Sequence, residues 1–157
     1  MATITTRNYG IANGQGGRIL HVREADSQTF VVGDPVYLSG GYVTALASDA
    51  GDYLGIAMKS ATNVVAAWAT IPVWVPGSNS TVWMQIINNV TAAAASATYR
   101  GEDYANTVAT YNYIDYSDNS GTLGTIINKH PNDEWADTNC RCQCSIVPAV
   151  SQFHSGT

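Results

Sequence analysis

The chain has 157 residues, of which 45% are hydrophobic, with 7 Lys and Arg against 12 Asp and Glu for a formal net charge of -5. This suits one domain with a core of its own, and it provides no basic footprint for phosphates or anionic headgroups, so neither nucleic acid nor membrane is expected as a partner. Charged residues make up only 12%, about half the ~25% of an ordinary soluble domain, which implies a polar but weakly charged surface.

Residues 1–20 are rich in Thr, Asn and Gly, with a turn-prone NGQGG at 13–17 and scattered apolar anchors at Ile4, Tyr9, Ile11 and Ile19. They read either as an extended arm or as a frayed terminus, and removal of 2–19 is expected to leave the fold intact. The remainder, 21–157, is expected to form a single β-rich domain. The start of the chain has no apolar run of the signal-peptide kind, and no later stretch approaches the ~20 apolar residues of a membrane-spanning helix.

From Phe30 the apolar period becomes two. Val36–Leu38 and Tyr42–Thr44 flank Gly40-Gly41, a pair suited to a two-residue hairpin turn that places Leu38 opposite Val43. Asp34-Pro35 marks the start of the first of these strands, since proline is tolerated at a strand's first position. Tyr53–Met58 makes a third strand.

In ATIPVWVPGSNSTVWMQIINN, Ile71, Val73 and Val75 alternate with Pro72, Trp74 and Pro76, and Val82, Met84 and Ile86 alternate with Trp83, Gln85 and Ile87. A hairpin across 77–80 would set Trp74 against Trp83 on an outer face, shielded by a partner subunit, a loop of the same chain or another surface. Pro72 and Pro76 blank one edge, which predicts an edge strand. The Ala-rich 90–101 is the one good helix candidate, with Thr91 as a cap. Beyond it, 108–116 and 124–128 read as strands.

All three cysteines lie at two-residue spacing, Cys140, Cys142 and Cys144. They lack the second ligand pair of a structural zinc site and the Cys-x-x-Cys of a redox motif. As one face of a strand, with Ile146, they read as small buried hydrophobes. DYSDNSG at 115–121 has its glycine one position late for a calcium loop and no glutamate at position twelve. GQGG lacks the strand and helix of a phosphate cradle, and no GxSxG elbow is present. No cofactor, metal or enzyme activity is expected, although His130, Asp133 and Glu134 would be the residues of a hydrolase.

The ordered features GDPVYLSGGYVTALASDAGDYLGIA, IPVWVPG, the Ala-rich run with YRGEDYA, and the closing VPAVSQF resemble the head-decoration, or cement, proteins of tailed bacteriophages, over roughly Phe30 to Phe153. The resemblance implies a compact β-tulip or barrel-like domain with an N-terminal arm. It further implies a homotrimer that binds the major capsid protein around three-fold or quasi-three-fold positions, on the capsid exterior after synthesis in the host cytoplasm. Ile4, Tyr9, Ile11, Ile19, Trp74 and Trp83 are the candidate interaction residues. The alternative is a trimeric carbohydrate-binding or adhesin module in which Trp74 and Trp83 stack on sugar rings.

Overall fold

The computed structural model describes residues 3, 10–65, 69–87, 101–108, 112–115 and 123–152. These residues are mainly β. The strands are β1 (Gly10–Asn13), β2 (Arg18–Arg23), β3 (Pro35–Ser39), β4 (Tyr42–Ala45), β5 (Gly55–Ala57), β6 (Thr70–Val75) and β7 (Thr81–Ile87). They continue with β8 (Asp103–Tyr104), β9 (Asn106–Val108), β10 (Asn112–Asp115), β11 (Gly124–Lys129) and β12 (Arg141–Ile146). A 3-10 turn, Pro148–Val150, follows. The helix expected at 90–101 lies outside the described residues but for Gly101, as do Ile4, Tyr9 and most of the rejected calcium loop.

Five strands in the order β2-β6-β5-β3-β4 form a sheet that almost closes on itself. Closure comes from a parallel bridge between Glu24 and Val43, reinforced by the Ala25 N–H donating to the Val43 carbonyl at 2.9 Å. Side chains then divide between two cores. Val36, Val43, Leu54, Ala57, Ile71, Val73 and Val75 fill the barrel with Phe30, while Tyr53, Ile56 and Trp74 face outward into a second core.

That second core is covered by the other sheet, in the order β8-β11-β12-β7-β10-β9, with β1 also on β7. Val82, Met84, Ile86, Ile114, Ile126, Cys142 and Cys144 supply its side. β7 is the hub of this sheet. One edge pairs with β12, and the other is shared by β1, antiparallel at its start, and β10, parallel at its end.

Several expectations hold. Leu38 pairs with Val43 across Gly40-Gly41, whose φ angles of 57° and 88° are those a primed two-residue turn needs. β3 begins at Pro35, and all three cysteines are fully buried on one face of β12 or just before it.

Others are corrected. β6 and β7 do not form a hairpin, because they belong to different sheets: Trp74 is opposite Ile19 and Ile56, and Trp83 is opposite Gly10 and Gln143. The connection is a crossing between layers, tied by the Gly77 N–H donating to Ser80 Oγ at 2.9 Å and Ser80 Oγ donating to the Gln15 carbonyl at 2.8 Å. Nor is β6 an edge strand. Its neighbour β2 pairs along all six residues, whereas β5 pairs with it only at Ile56 and Ala57. Met58 N–H donates to the Pro72 carbonyl, so Pro72, Trp74 and Pro76 all turn their backbone toward β5, and the two missing donors limit that neighbour to three residues.

The strand expected at 108–116 is instead two antiparallel strands, β9 and β10. At the N-terminus, the boundary expected at residue 20 falls inside β2. Gly10–Asn13 already pairs with β7, and Gly17 lies so close under the Trp74 indole that a Cβ would collide with the ring. Removing 2–19 would therefore take away β1 and uncover Trp74.

Tyr53 is wholly buried, and its hydroxyl has no hydrogen-bond partner among the described residues. Burial, with a smaller contribution from Cys144, pushes its pKa far up. A buried unpaired hydroxyl costs about 1–3 kcal/mol. Tyr53→Phe is accordingly expected to leave thermal stability unchanged or raise it. A drop in melting temperature would show that the hydroxyl is paired after all.

Candidate interaction surface

Because β2, β6 and β5 are in register, the outer face of the barrel can be read row by row. In one row, Ile19, Trp74 and Ile56 lie side by side. The seven-stranded sheet covers Trp74, which is 5% exposed, and Ile56, but leaves Ile19 46% exposed. The next row is His21 and Pro72, continued by Met58, which is 43% exposed. Arg23 ends β2 on the same outward face, and Lys59 follows Met58. Neither cation has an ion-pair partner among the described residues.

Around one end of the barrel, two loops are laced together. Val32 N–H donates to Ser60 Oγ at 3.2 Å, Gly33 N–H to the Ala57 carbonyl at 2.8 Å and Ala61 N–H to the Phe30 carbonyl at 3.0 Å. The loops present Val31, Val32, Val64 and Val65 to solvent, Val65 at 68% exposure. Lone exposed aliphatics are ordinary, but four valines on two adjoining loops form a patch.

The second loop is anchored by Glu24, which is buried with no ion pair among the described residues. Its carboxylate accepts the Thr62 N–H at 2.9 Å and the Thr62 hydroxyl. Hydrogen bonds to a charged group contribute about 1.5–3 kcal/mol each. Glu24→Gln keeps the size while weakening both acceptors, so hydrogen exchange at the Thr62 amide should accelerate at least tenfold; unchanged exchange would mean the loop is held by other contacts.

On the opposite side of the molecule's second sheet, Trp83 is half-buried with its ring centroid 5.1 Å from that of His130, tilted by 55°. Nearby, Asp133 is engaged from three directions by Arg141: the backbone N–H and Nε both donate to Oδ2 at 2.9 Å, and an Nη donates to Oδ1. Burial pushes this carboxyl up, but the hydrogen bonds and charge of Arg141, with help from His130, outweigh it and the net shift is downward. A carboxylate so occupied is a structural anchor and a poor general base. Of the three residues singled out for a hydrolase, His130 and Asp133 are brought together, Nδ1 to Oδ1 at 3.8 Å, with His130 Nδ1 also accepting the Asn132 N–H at 3.2 Å, while Glu134 is exposed.

The three thiols are free and buried. Cys142 and Cys144 place their sulfurs 3.4 Å apart in the second core. Burial, together with the negative charge of Asp133 and Asp137, pushes Cys140 up to about 12, and burial with the neighbouring Cys144 pushes Cys142 well above its ordinary value. These shifts favour the protonated thiol at Cys140 and Cys142. Among the described residues no group of three His, Cys, Asp or Glu is arranged to hold a metal.

Of the sequence-derived interaction residues, Ile11 and Ile19 are exposed, on either side of the turn that packs against Trp74. Trp74 is interior, and Trp83 lies on the far face of another sheet, so the aromatic pair imagined for sugar stacking does not exist. Sequence reading missed Met58 and the four valines. The signal available was the two Val-Val pairs, VVGD and NVV, in segments bordered by turn residues.

No protein-family model matches this chain, and no curated protein matches it.

Proposed function

We propose that this chain is a non-enzymatic structural protein of a tailed-bacteriophage virion, binding the outer surface of the capsid as a homotrimer and stabilising the expanded head. The observation that carries the reading is the valine patch at the barrel end, on a body with few charges and no assembled catalytic or metal centre among the described residues. Apolar anchors surrounded by neutral polar surface suit protein contact, where charged residues are depleted from the interface centre. The sequence features of the decoration proteins, GDPV-aromatic, the Leu-Gly-Ile-Ala strand and Ile-Pro-Val, all map onto the barrel that bears this patch.

Stabilisation then follows from mass action: a ligand that binds only the expanded shell lowers its free energy by RT ln(1 + [L]/Kd) per site. Heads prepared without the protein provide the test. Adding it should raise the temperature at which they release DNA, saturating at a fixed number of copies per head. No shift at saturating protein would overturn the reading.

A further inference from the structure

The barrel face of Ile19, His21, Pro72 and Met58 carries two exposed apolar side chains, Ile19 and Met58, with the exposed cations Arg23 and Lys59 beside them. The same chain carries a surface of opposite character. The loop between β4 and β5 frames a cleft of about 210 Å³, lined by Tyr37, Ala50 and Gly51 with Asp49 and Asp52 exposed at its rim. Neither carboxylate has an ion-pair partner among the described residues.

This loop is built to hold its shape. Asn106, wholly buried, accepts the Ala50 N–H on Oδ1 at 2.9 Å and donates from Nδ2 to the Ala47 carbonyl at 2.8 Å, while its backbone carbonyl accepts the Asp49 N–H at 2.8 Å. Ser48 Oγ accepts the Val108 N–H at 2.8 Å. Asp49 sits at a φ of 51°, a left-handed conformation that aspartate tolerates better than most residues other than glycine. Two exposed carboxylates thus flank a half-buried tyrosine on a loop whose backbone is held at Ala47–Ala50, with no ion-pair partner among the described residues.

We infer that the chain binds a second copy of itself head to tail, the Ile19–Met58 face of one copy entering the Asp49–Asp52 cleft of the next. The surfaces match in sign, Arg23 and Lys59 against Asp49 and Asp52, and the cleft of about 210 Å³ has room for an exposed side chain such as Met58. They share no residue, so every copy offers both halves at once. A contact of this heterologous kind closes into a ring or continues as a filament. The inference deepens the self-association within the proposed function and rests on it.

Complementation by mixing tests it. One variant, Ile19→Asp with Met58→Asp, disables the Ile19–Met58 face; another, Asp49→Asn with Asp52→Arg, disables the cleft rim through exposed side chains alone. Arg23→Glu with Lys59→Glu serves as a second variant of the first face, altering only exposed side chains. Sedimentation velocity should find the unaltered protein assembled and each variant alone monomeric with an unchanged melting temperature. A mixture of an Ile19–Met58-face variant with the cleft variant should sediment as a one-to-one dimer, because one intact face of each kind remains. Variants that stay assembled, or a mixture that stays monomeric, would overturn the head-to-tail contact while leaving head stabilisation intact. An unaltered protein that is monomeric at every concentration would remove the self-association too, and the DNA-release assay would still report on shell binding by itself.

Discussion

Replacing Trp74 by alanine should cost about 3–5 kcal/mol, the range for a large aromatic removed from a core. The indole belongs to a barrel strand but packs into the core shared with the seven-stranded sheet. It is flanked in its row by Ile19 and Ile56, and the turn at Gly17 lies against it. No neighbour is free to collapse into the space, since β6 is paired on both sides and the second sheet is fixed by its own pairings. For a domain of this size the loss corresponds to a fall in melting temperature of roughly 10 °C or more. Trp83→Ala removes a half-buried ring whose aromatic partner among the described residues is His130, and should cost about 1 kcal/mol. Urea unfolding of the two variants discriminates sharply. Had the two tryptophans formed a cross-strand pair on an outer face, their effects would be similar and small.

The second large effect belongs to Arg141. Replacing it by methionine leaves the Asp133 carboxylate, which is entirely shielded from solvent, without its charged partner, and breaking a buried pair in this way costs about 3–5 kcal/mol. The pH dependence has a defined sign. The folded-state pKa of Asp133 is lowered, so the stabilisation is fully present above the unfolded carboxylate value of about 3.9 and is lost as pH falls through the folded value below it. The difference in urea midpoint between the unaltered protein and Arg141→Met should be large at neutral pH and shrink in strong acid. An equal difference at both extremes would place the destabilisation in lost packing of the arginine stem. Asp133→Asn supplies the control, since it removes the titration and retains the volume.

What could be read from the sequence was what local geometry decides. The Val36–Ala45 hairpin follows from two adjacent glycines and a period of two, and the cysteine face follows from alternation alone. The pairing of β6 was not local. Its two faces are both apolar, one aliphatic and one carrying Trp74, because the strand lies between two cores. Sequence alternation reveals two faces but not what covers each. The prolines were read correctly as blanking an edge, yet the chain meets that constraint with a three-residue neighbour instead of leaving the edge bare.

The interaction surface was partly legible for the same reason. Ile11 and Ile19 stood out as aliphatic residues in a polar stretch, and both are exposed. Met58 was hidden, because it ends a buried strand and its exposure depends on where the second sheet stops. His21, Pro72 and Met58 come from three strands separated by up to 51 positions of sequence, and only the register sets them in one row.

The measurement that bears most directly on the proposed function is a binding isotherm on purified expanded heads, read by co-sedimentation, for the unaltered protein and for Val32→Asp with Val65→Asp. Both substitutions fall on exposed loop positions, so folding is expected to be unaffected. Saturable binding by the unaltered protein, and at least a hundredfold weaker binding by the variant, is the predicted result. Absence of saturable binding by the unaltered protein, or equal affinity for the two, would contradict the assignment of the valine patch as the surface that meets the shell.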